Sequence, residues 1–195
     1  MKLVAFAVLV SLAVPAVAGP QPWRREITET DRKRLAGLWR AWTTARAQVG
    51  AAGHSDAWAK EEPLTDPAAG AGGEAPPPGR YRCRTVKLGT RTAGMPVWTM
   101  SETYPCRVEQ VEGGLRFVRE GGAQRTAGLL FPDGDRQVYL GALSLGSEGG
   151  LFDYNADAER NQVGVLRRLG ERRWRLELPW PKWESTLDVI DIVPA

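Results

Sequence analysis

The side chains able to do chemistry in this chain are few, and their spacing narrows what that chemistry is. Asp153-Tyr154-Asn155-Ala156-Asp157-Ala158-Glu159 sets oxygen donors at alternate positions, as a calcium loop does when it turns side chains toward one centre. The pattern then breaks, because Ala158 stands where a helix-loop-helix calcium site needs glycine and Gly164 where it needs glutamate. Asp153, Asn155, Asp157 and Glu159 are therefore weak calcium candidates. A solvated turn, with Asp153 or Asp157 capping local amides, is the expectation, with no metal and no cofactor. Glu184, Asp188 and Asp191 lie on or near one terminal strand and are the carboxylates placed for a glycosidase-like pair. Nucleophilic catalysis lacks its parts: no G-x-S-x-G elbow occurs, and the only histidine, His54, falls in a Gly/Ser-rich loop. Leu178-Pro179-Trp180-Pro181-Lys182-Trp183 holds two indole rings on a loop stiffened by two prolines. Rigid aromatics of this kind suit recognition of a peptide or sugar; the competing expectation is that both rings fold over a barrel mouth as a lid. Arg173 and Arg175, alternating with Trp174 and Leu176, would frame that surface with positive charge.

The elements that must position these residues are legible from periodicity. Thr28 with Asp31 three residues later is a helix N-terminal pattern, and Leu35, Leu38, Trp39, Trp42, Ala45 and Val49 recur at helical spacing. One amphipathic helix over Ile27–Val49 follows, its tryptophan stripe packed on the rest of the molecule. Residues 63–79, PLTDPAAGAGGEAPPPG, offer almost nothing large to bury and read as a linker or long loop. From Arg80 the period becomes two. Trp174, Leu176 and Leu178 alternate with charged residues, Ala127, Leu129 and Phe131 lead into the Pro132-Asp133-Gly134 turn, and Val138, Leu140 and Ala142 return from it. The last strand changes phase between Val189 and Ile190, which calls for a bulge or for burial on both faces. The expected fold class is mainly β: an antiparallel barrel or strongly curved meander of about eight short strands with one N-terminal helix. No helix–strand alternation supports a doubly wound nucleotide fold.

Lys2, the apolar run Leu3–Val14, and Ala16-Val17-Ala18 make a secretory leader with cleavage after Ala18. The run is short for a membrane span, so no transmembrane anchor is expected. The chain then divides into residues 1–18 (leader), 19–62 (helical segment), 63–79 (linker) and 80–195 (β-domain). The roughly 177 residues after the leader suffice for one domain with a core. A formal net charge of +3, from scattered arginines, gives no nucleic-acid footprint. Cys83 and Cys106 are the only cysteines, and in an oxidising compartment a single disulfide is the economical reading. Metal ligation would need a third soft ligand that the chain lacks.

Tyr81-Arg82-Cys83-Arg84-Thr85, Lys87-Leu88-Gly89, Tyr104-Pro105-Cys106, Gly122-Ala123-Gln124-Arg125 with Gly128, Arg172–Leu176 and Glu184–Val189 resemble an uncharacterised family of exported bacterial proteins, domain of unknown function 4893. The resemblance implies export and a β-rich fold and brings no activity with it. A small exported barrel closed by two cysteines is also similar in architecture to bacterial metalloprotease-inhibitor barrels and, more loosely, to lipocalins, and fold alone does not carry function. The expected function is a non-enzymatic exported binding module for an envelope protein, a peptide or a small apolar ligand, met at one barrel mouth near Trp180, Trp183 and residues 143–160. An envelope structural or assembly factor is the alternative, and a carboxylate-based cell-wall hydrolase the third. Amino-terminal sequencing of protein recovered from the cell envelope or medium should read Gly-Pro-Gln, starting at Gly19; a retained Met1 or a start inside the helix contradicts the leader.

Overall fold

The computed structural model describes residues 22–70 and 72–195, so the leader expected over residues 1–18 lies outside the described residues. Four short helices come first: α1 (Trp23–Glu26), α2 (Glu29–Ala36), α3 (Leu38–Ala51) and α4 (Ser55–Lys60). The strands are β1 (Gly79–Leu88), β2 (Trp98–Met100), β3 (Tyr104–Val111), β4 (Gly114–Arg119), β5 (Gln124–Asp133), β6 (Arg136–Leu145), β7 (Asn161–Gly170), β8 (Arg173–Pro179) and β9 (Leu187–Pro194). Each pairs antiparallel with its neighbour, and β9 returns to β1, from Tyr81↔Pro194 to Leu88↔Leu187, closing an eight-stranded barrel. β2 is an extra flap on the Val86–Leu88 end of β1, past the point where β3 leaves it. The expected fold class is the one the chain forms.

Alternation sorts the strand residues into two cores. Tyr81, Cys83, Val108, Phe117, Leu130, Tyr139, Leu166, Trp174, Leu176 and Ile190 come from all eight barrel strands and pack together, which is possible only inside the barrel. Eight strands enclose just enough space for side chains. Here Tyr139 spans it: a Cβ on Gly141 would lie 2.2 Å from the Tyr139 hydroxyl, and one on Gly128 2.7 Å from its ring. Cys83 and Cys106 join β1 to β3 as a disulfide within this interior. Residues 73–78 close the same end from below. The Glu74 carbonyl accepts from Trp174 Nε1 at 2.9 Å, the Pro77 carbonyl from the Tyr81 hydroxyl at 2.6 Å, and Ala75 packs on the interior cluster.

The other core lies outside the barrel wall, where Trp23, Leu38, Trp42, Val49 and Trp58 cover Val86, Val138, Leu140, Val163, Val165 and Val189. This double burial explains the phase change in β9, whose pairing with β8 runs without a bulge: Leu187 and Val189 meet the helices while Ile190 and Ile192 face inward. Arg175 is the hub of this outer layer. It is wholly buried beneath the Trp42 ring, its guanidinium donates to the carbonyls of Pro63, Leu64, Asp66 and Ala69, and it pairs with Glu177 at 2.8 Å. Trp42 Nε1 donates to the other Glu177 oxygen at 2.8 Å.

The single helix expected over Ile27–Val49 is two. Thr28 caps α2, its hydroxyl accepting from the Asp31 amide at 3.1 Å, and Gly37 interrupts the helix before α3. Gly37 is where the barrel meets the helix: its carbonyl accepts from Trp180 Nε1 at 3.1 Å, and a Cβ there would lie 3.0 Å from that nitrogen. Leu35, Leu38, Trp42, Ala45 and Val49 are buried as the stripe requires. Trp39 leaves it and stands 66% exposed, because Ala41 takes the neighbouring place on the inner face once α3 restarts. Trp42→Ala should lower stability by about 3–5 kcal/mol, since it removes a fully packed ring and takes the indole donor from Glu177 Oε2, leaving that buried carboxylate to Arg175 and Arg167 on its other oxygen. Thermal unfolding should show the midpoint down by on the order of 10 °C, and an unchanged midpoint would mean the helix layer is not packed as described.

Candidate functional site

One end of the barrel is filled with rings and closed by residues 73–78; the other end is polar. The inward positions of the same strands there carry Thr85 and Lys87 (β1), Tyr104 (β3), Arg119 (β4), Gln124 and Thr126 (β5), Gln162 (β7) and Asp188 (β9), continuing the alternation that places Cys83, Phe117, Leu130 and Ile190 inside. Lys87 Nζ lies at the centre. It donates to Glu184 Oε2 at 2.8 Å and Gln124 Oε1 at 2.9 Å and stands 3.7 Å from Asp188 Oδ2. Asp188 also accepts from the Ser185 hydroxyl. Deeper in, the Thr126 hydroxyl joins the Tyr139 hydroxyl at 2.6 Å and the Gln162 amide oxygen, so the polar network grades into the ring-filled half.

Two clefts open on either side of Lys87 and Gln124. The smaller, with Asp188, Gln162, Arg160 and Trp183 on its wall, has a volume of about 20 Å³, room for about one water molecule. The larger, about 280 Å³, is lined by Thr85, Ser101, Tyr104 and Arg119 as well as Lys87 and is just below the size of an ordinary small-molecule pocket. Burial pushes the Asp188 carboxyl above the usual carboxylate range, with the nearby Glu184 charge adding to the effect, against the opposing pull of Lys87 and the Ser185 hydroxyl. The loop that delivers Glu184 holds two non-glycine residues in the left-handed region, Trp180 at φ 50° and Glu184 at φ 64°. That conformation disfavours each by roughly 1 kcal/mol or more, and such residues gather where a site fixes them.

The residues singled out from sequence are dispersed. Trp183 reaches the smaller cleft. Trp180 turns away onto the helices, its N–H taken by Gly37 and the Arg40 guanidinium 5.5 Å from its ring centre. Arg173 is bound twice by Asp191, at 2.7 and 3.0 Å, on the outer wall. Arg175 does point out of the barrel, as alternation requires, but the helical layer covers it completely, so it frames no ligand surface. Of the three carboxylates, Glu184 and Asp188 meet at Lys87, while Asp191 faces outward to Arg173 and Arg84. The candidate calcium donors do not converge: Asp153 pairs with Arg116 at 2.9 Å, Asn155 joins Asn161, Asp157 caps the Ala158–Arg160 turn, and Glu159 meets Lys182 at 3.2 Å. No group of three or more His, Cys, Asp or Glu side chains among the described residues is arranged to hold a metal.

Lys87, Arg119, Gln124, Thr85 and Ser101 form no linear motif, because β1, β4, β5 and the segment after β2 bring them together only in the folded barrel. A signal was present nonetheless: Lys87 sits in the inward phase of Tyr81 and Cys83, Arg119 in that of Phe117, and Asp188 in that of Ile190. The segments quoted above for the family resemblance supply Thr85, Lys87, Tyr104, Gln124, Glu184 and Asp188, all at this mouth. The model of a family described as "Domain of unknown function (DUF4893)" matches residues 23–192. No curated protein and no solved structure matches the chain.

The Asp188 shift has a stability consequence of defined sign. A folded pKa raised above the unfolded value contributes stability that is full below the unfolded pKa, near 4, and is lost as pH rises through the folded pKa. Asp188→Asn removes that term, so the variant should gain stability relative to wild type as pH is taken from about 4 to 8. Denaturant unfolding of both proteins across that range is the measurement; a difference that stays flat or falls would mean the carboxylate is not held back by burial.

Proposed function

We propose that this chain, which belongs to the family described as domain of unknown function (DUF4893), is an exported, non-enzymatic binding module whose ligand enters the polar mouth of the barrel. The single observation that carries the reading is the division of the barrel interior: one half is packed with rings and closed from below, and the other presents hydrogen-bonding side chains around a 280 Å³ cleft. A packed interior provides no apolar chamber at its closed end, so the ligand is polar rather than apolar. The leader-like first residues and the Cys83–Cys106 disulfide support export. The cleft onto which Asp188 opens has room for about one water molecule, which favours binding at the larger cleft over hydrolysis of a cell-wall chain at this carboxylate.

A second reading, an envelope assembly factor, rests on a different surface. Exposed Trp39 lines a cleft of about 430 Å³ between α2, α3 and the outer barrel wall, rimmed by Arg24, Arg32, Arg136 and Arg167. A screen of polar fragments by two-dimensional NMR separates the two, because the N–H signals report by place. Hits should move the amides of Thr85, Lys87 and Gln124, which line the larger cleft, and return chemically unchanged after prolonged incubation. Hits that move Trp39 and Trp23 instead favour the assembly reading, and turnover of a fragment would replace binding with catalysis.

A further inference from the structure

Arg119 is a buried charge at the mouth with no counter-ion beside it. It is 5% exposed, and no Asp or Glu side chain lies within ion-pair distance of it among the described residues. The undescribed residues, 1–21 and 71, contain no acid to supply one. The cation is instead held by neutral groups: Nη1 donates to the Gln124 carbonyl, Nη2 reaches the Ser101 hydroxyl at 3.3 Å, and the guanidinium lies 4.8 Å from the centre of the Tyr104 ring. Its Nε–H has no acceptor, and the buried Thr85 hydroxyl in the same cleft has no partner. Burial lowers the Arg119 pKa against the weaker opposing influence of Tyr104 and Asp188, as expected for a cation short of compensation. A buried charge without a partner is strongly unfavourable, as is each orphaned donor. The structure nevertheless keeps the guanidinium in place. A Cβ on Gly121 would come 2.5 Å from Tyr104 Cδ1 and one on Gly122 3.1 Å from Arg119 Nη2, so the glycine pair leaves the room that the stacked ring and guanidinium occupy.

We infer that the 280 Å³ cleft at the barrel mouth binds a carboxylate, with the Nε–Nη2 edge of Arg119 as its principal donor and the Thr85 and Ser101 hydroxyls beside it. The inference rests on the reading of the mouth as the ligand site and names the chemistry of that ligand. Nε–H and Nη2–H form one planar fork, the geometry that matches the two oxygens of a carboxylate. A monoanion fits the charge of the cleft better than phosphate does. Lys87, the second cation, is already paired with Glu184 and Asp188, and the exposed Glu102 at the rim repels a dianion. The shared chemistry is a free carboxylate, from a small acid or from the C-terminus of a peptide.

The test uses the whole mature protein at constant ionic strength, titrated in turn with sodium acetate, triglycine, triglycine amide and inorganic phosphate, while the Arg119 Nε–Hε signal and the Lys87 and Trp183 signals are followed by NMR. Acetate should shift the Arg119 signal saturably, and phosphate should not compete at equal concentration. Arg119→Gln should weaken acetate binding at least tenfold, and Thr85→Val, which leaves the guanidinium in place, should weaken it severalfold. Tighter binding of triglycine than of acetate, abolished by the amide, identifies a peptide C-terminus; equal binding of the two anions identifies a small acid. An acetate response that is unsaturable, or unchanged in both variants, overturns the inference. If Arg119→Gln does not fold, Thr85→Val decides alone. Neutral polar fragments that bind at Lys87 and Trp183 without any carboxylate preference would leave the mouth as a ligand site and reject the carboxylate, whereas silence of the mouth toward every probe would reject both.

Discussion

One buried guanidinium organises the outside of this molecule. Arg175 projects from β8 into the layer between barrel and helices, where it orders the carbonyls of residues 63–69, neutralises Glu177 and supports the Trp42 ring. Three parts of the chain distant in sequence are thereby tied to one side chain. Removing one partner of such a buried pair typically destabilises by about 3–5 kcal/mol, because the other is left uncompensated. The consequence reaches past stability. A Pro/Gly/Ala-rich run with almost no apolar surface cannot order itself, yet here it is fixed firmly enough for residues 73–78 to close one end of the barrel. With that end shut, the polar end is the way into the interior.

The division of the interior follows from the width of an eight-stranded barrel. Side chains of ordinary size fill it, so a ligand chamber exists only where the inward residues are short or polar and water stays among them. Trp174, Tyr81, Phe117 and Tyr139 consume the space at the closed end in edge-on pairs, Tyr81 with Trp174 and Phe117 with Tyr139. Past Thr126 the inward positions become Gln162, Gln124, Lys87 and Asp188, whose hydrogen-bond demands bring them together at the rim and leave gaps between them. Binding at the mouth therefore needs no opening of the hydrophobic core.

Much of this was legible in the residues. Alternation in Trp174–Leu178 and Ala127–Phe131, the turn at Pro132-Asp133-Gly134 and the two-faced last strand specify a meander whose first and last strands are apolar enough to pair. The helix stripe predicts burial of Trp42 and Val49 but not exposure of Trp39, because the break at Gly37 answers to Trp180, a residue 143 positions away. The same long-range contact turns Trp180 onto the helices and leaves Trp183 as the ring of that loop that lines the smaller cleft. Arg175 shows the limit most clearly. Period two gives its side of the sheet and cannot tell whether that side meets water or another layer. The mouth was hidden for a related reason: Lys87, Arg119 and Gln124 become neighbours only when barrel closure and register are known, though each is a polar residue in an apolar phase.

Those polar residues in apolar phase set the balance between stability and use in this fold. Arg119 without a counter-ion and Asp188 with its ionisation opposed both work against folding, and the left-handed backbone at Trp180 and Glu184 adds strain to the loop that crosses the mouth. Opposing them are the Cys83–Cys106 link, which restricts the unfolded chain by roughly 3–4 kcal/mol in the loop-entropy description, and the aromatic layers inside and outside the wall. The loop couples the two sets directly. Trp180 anchors one end of it to the helix break, and Glu184 anchors the other to Lys87. The helical layer therefore does more than cover the barrel: by holding Trp180 at Gly37 it fixes the loop backbone that presents Glu184, so the outer packing keeps the unfavourable charges of the mouth at fixed separation.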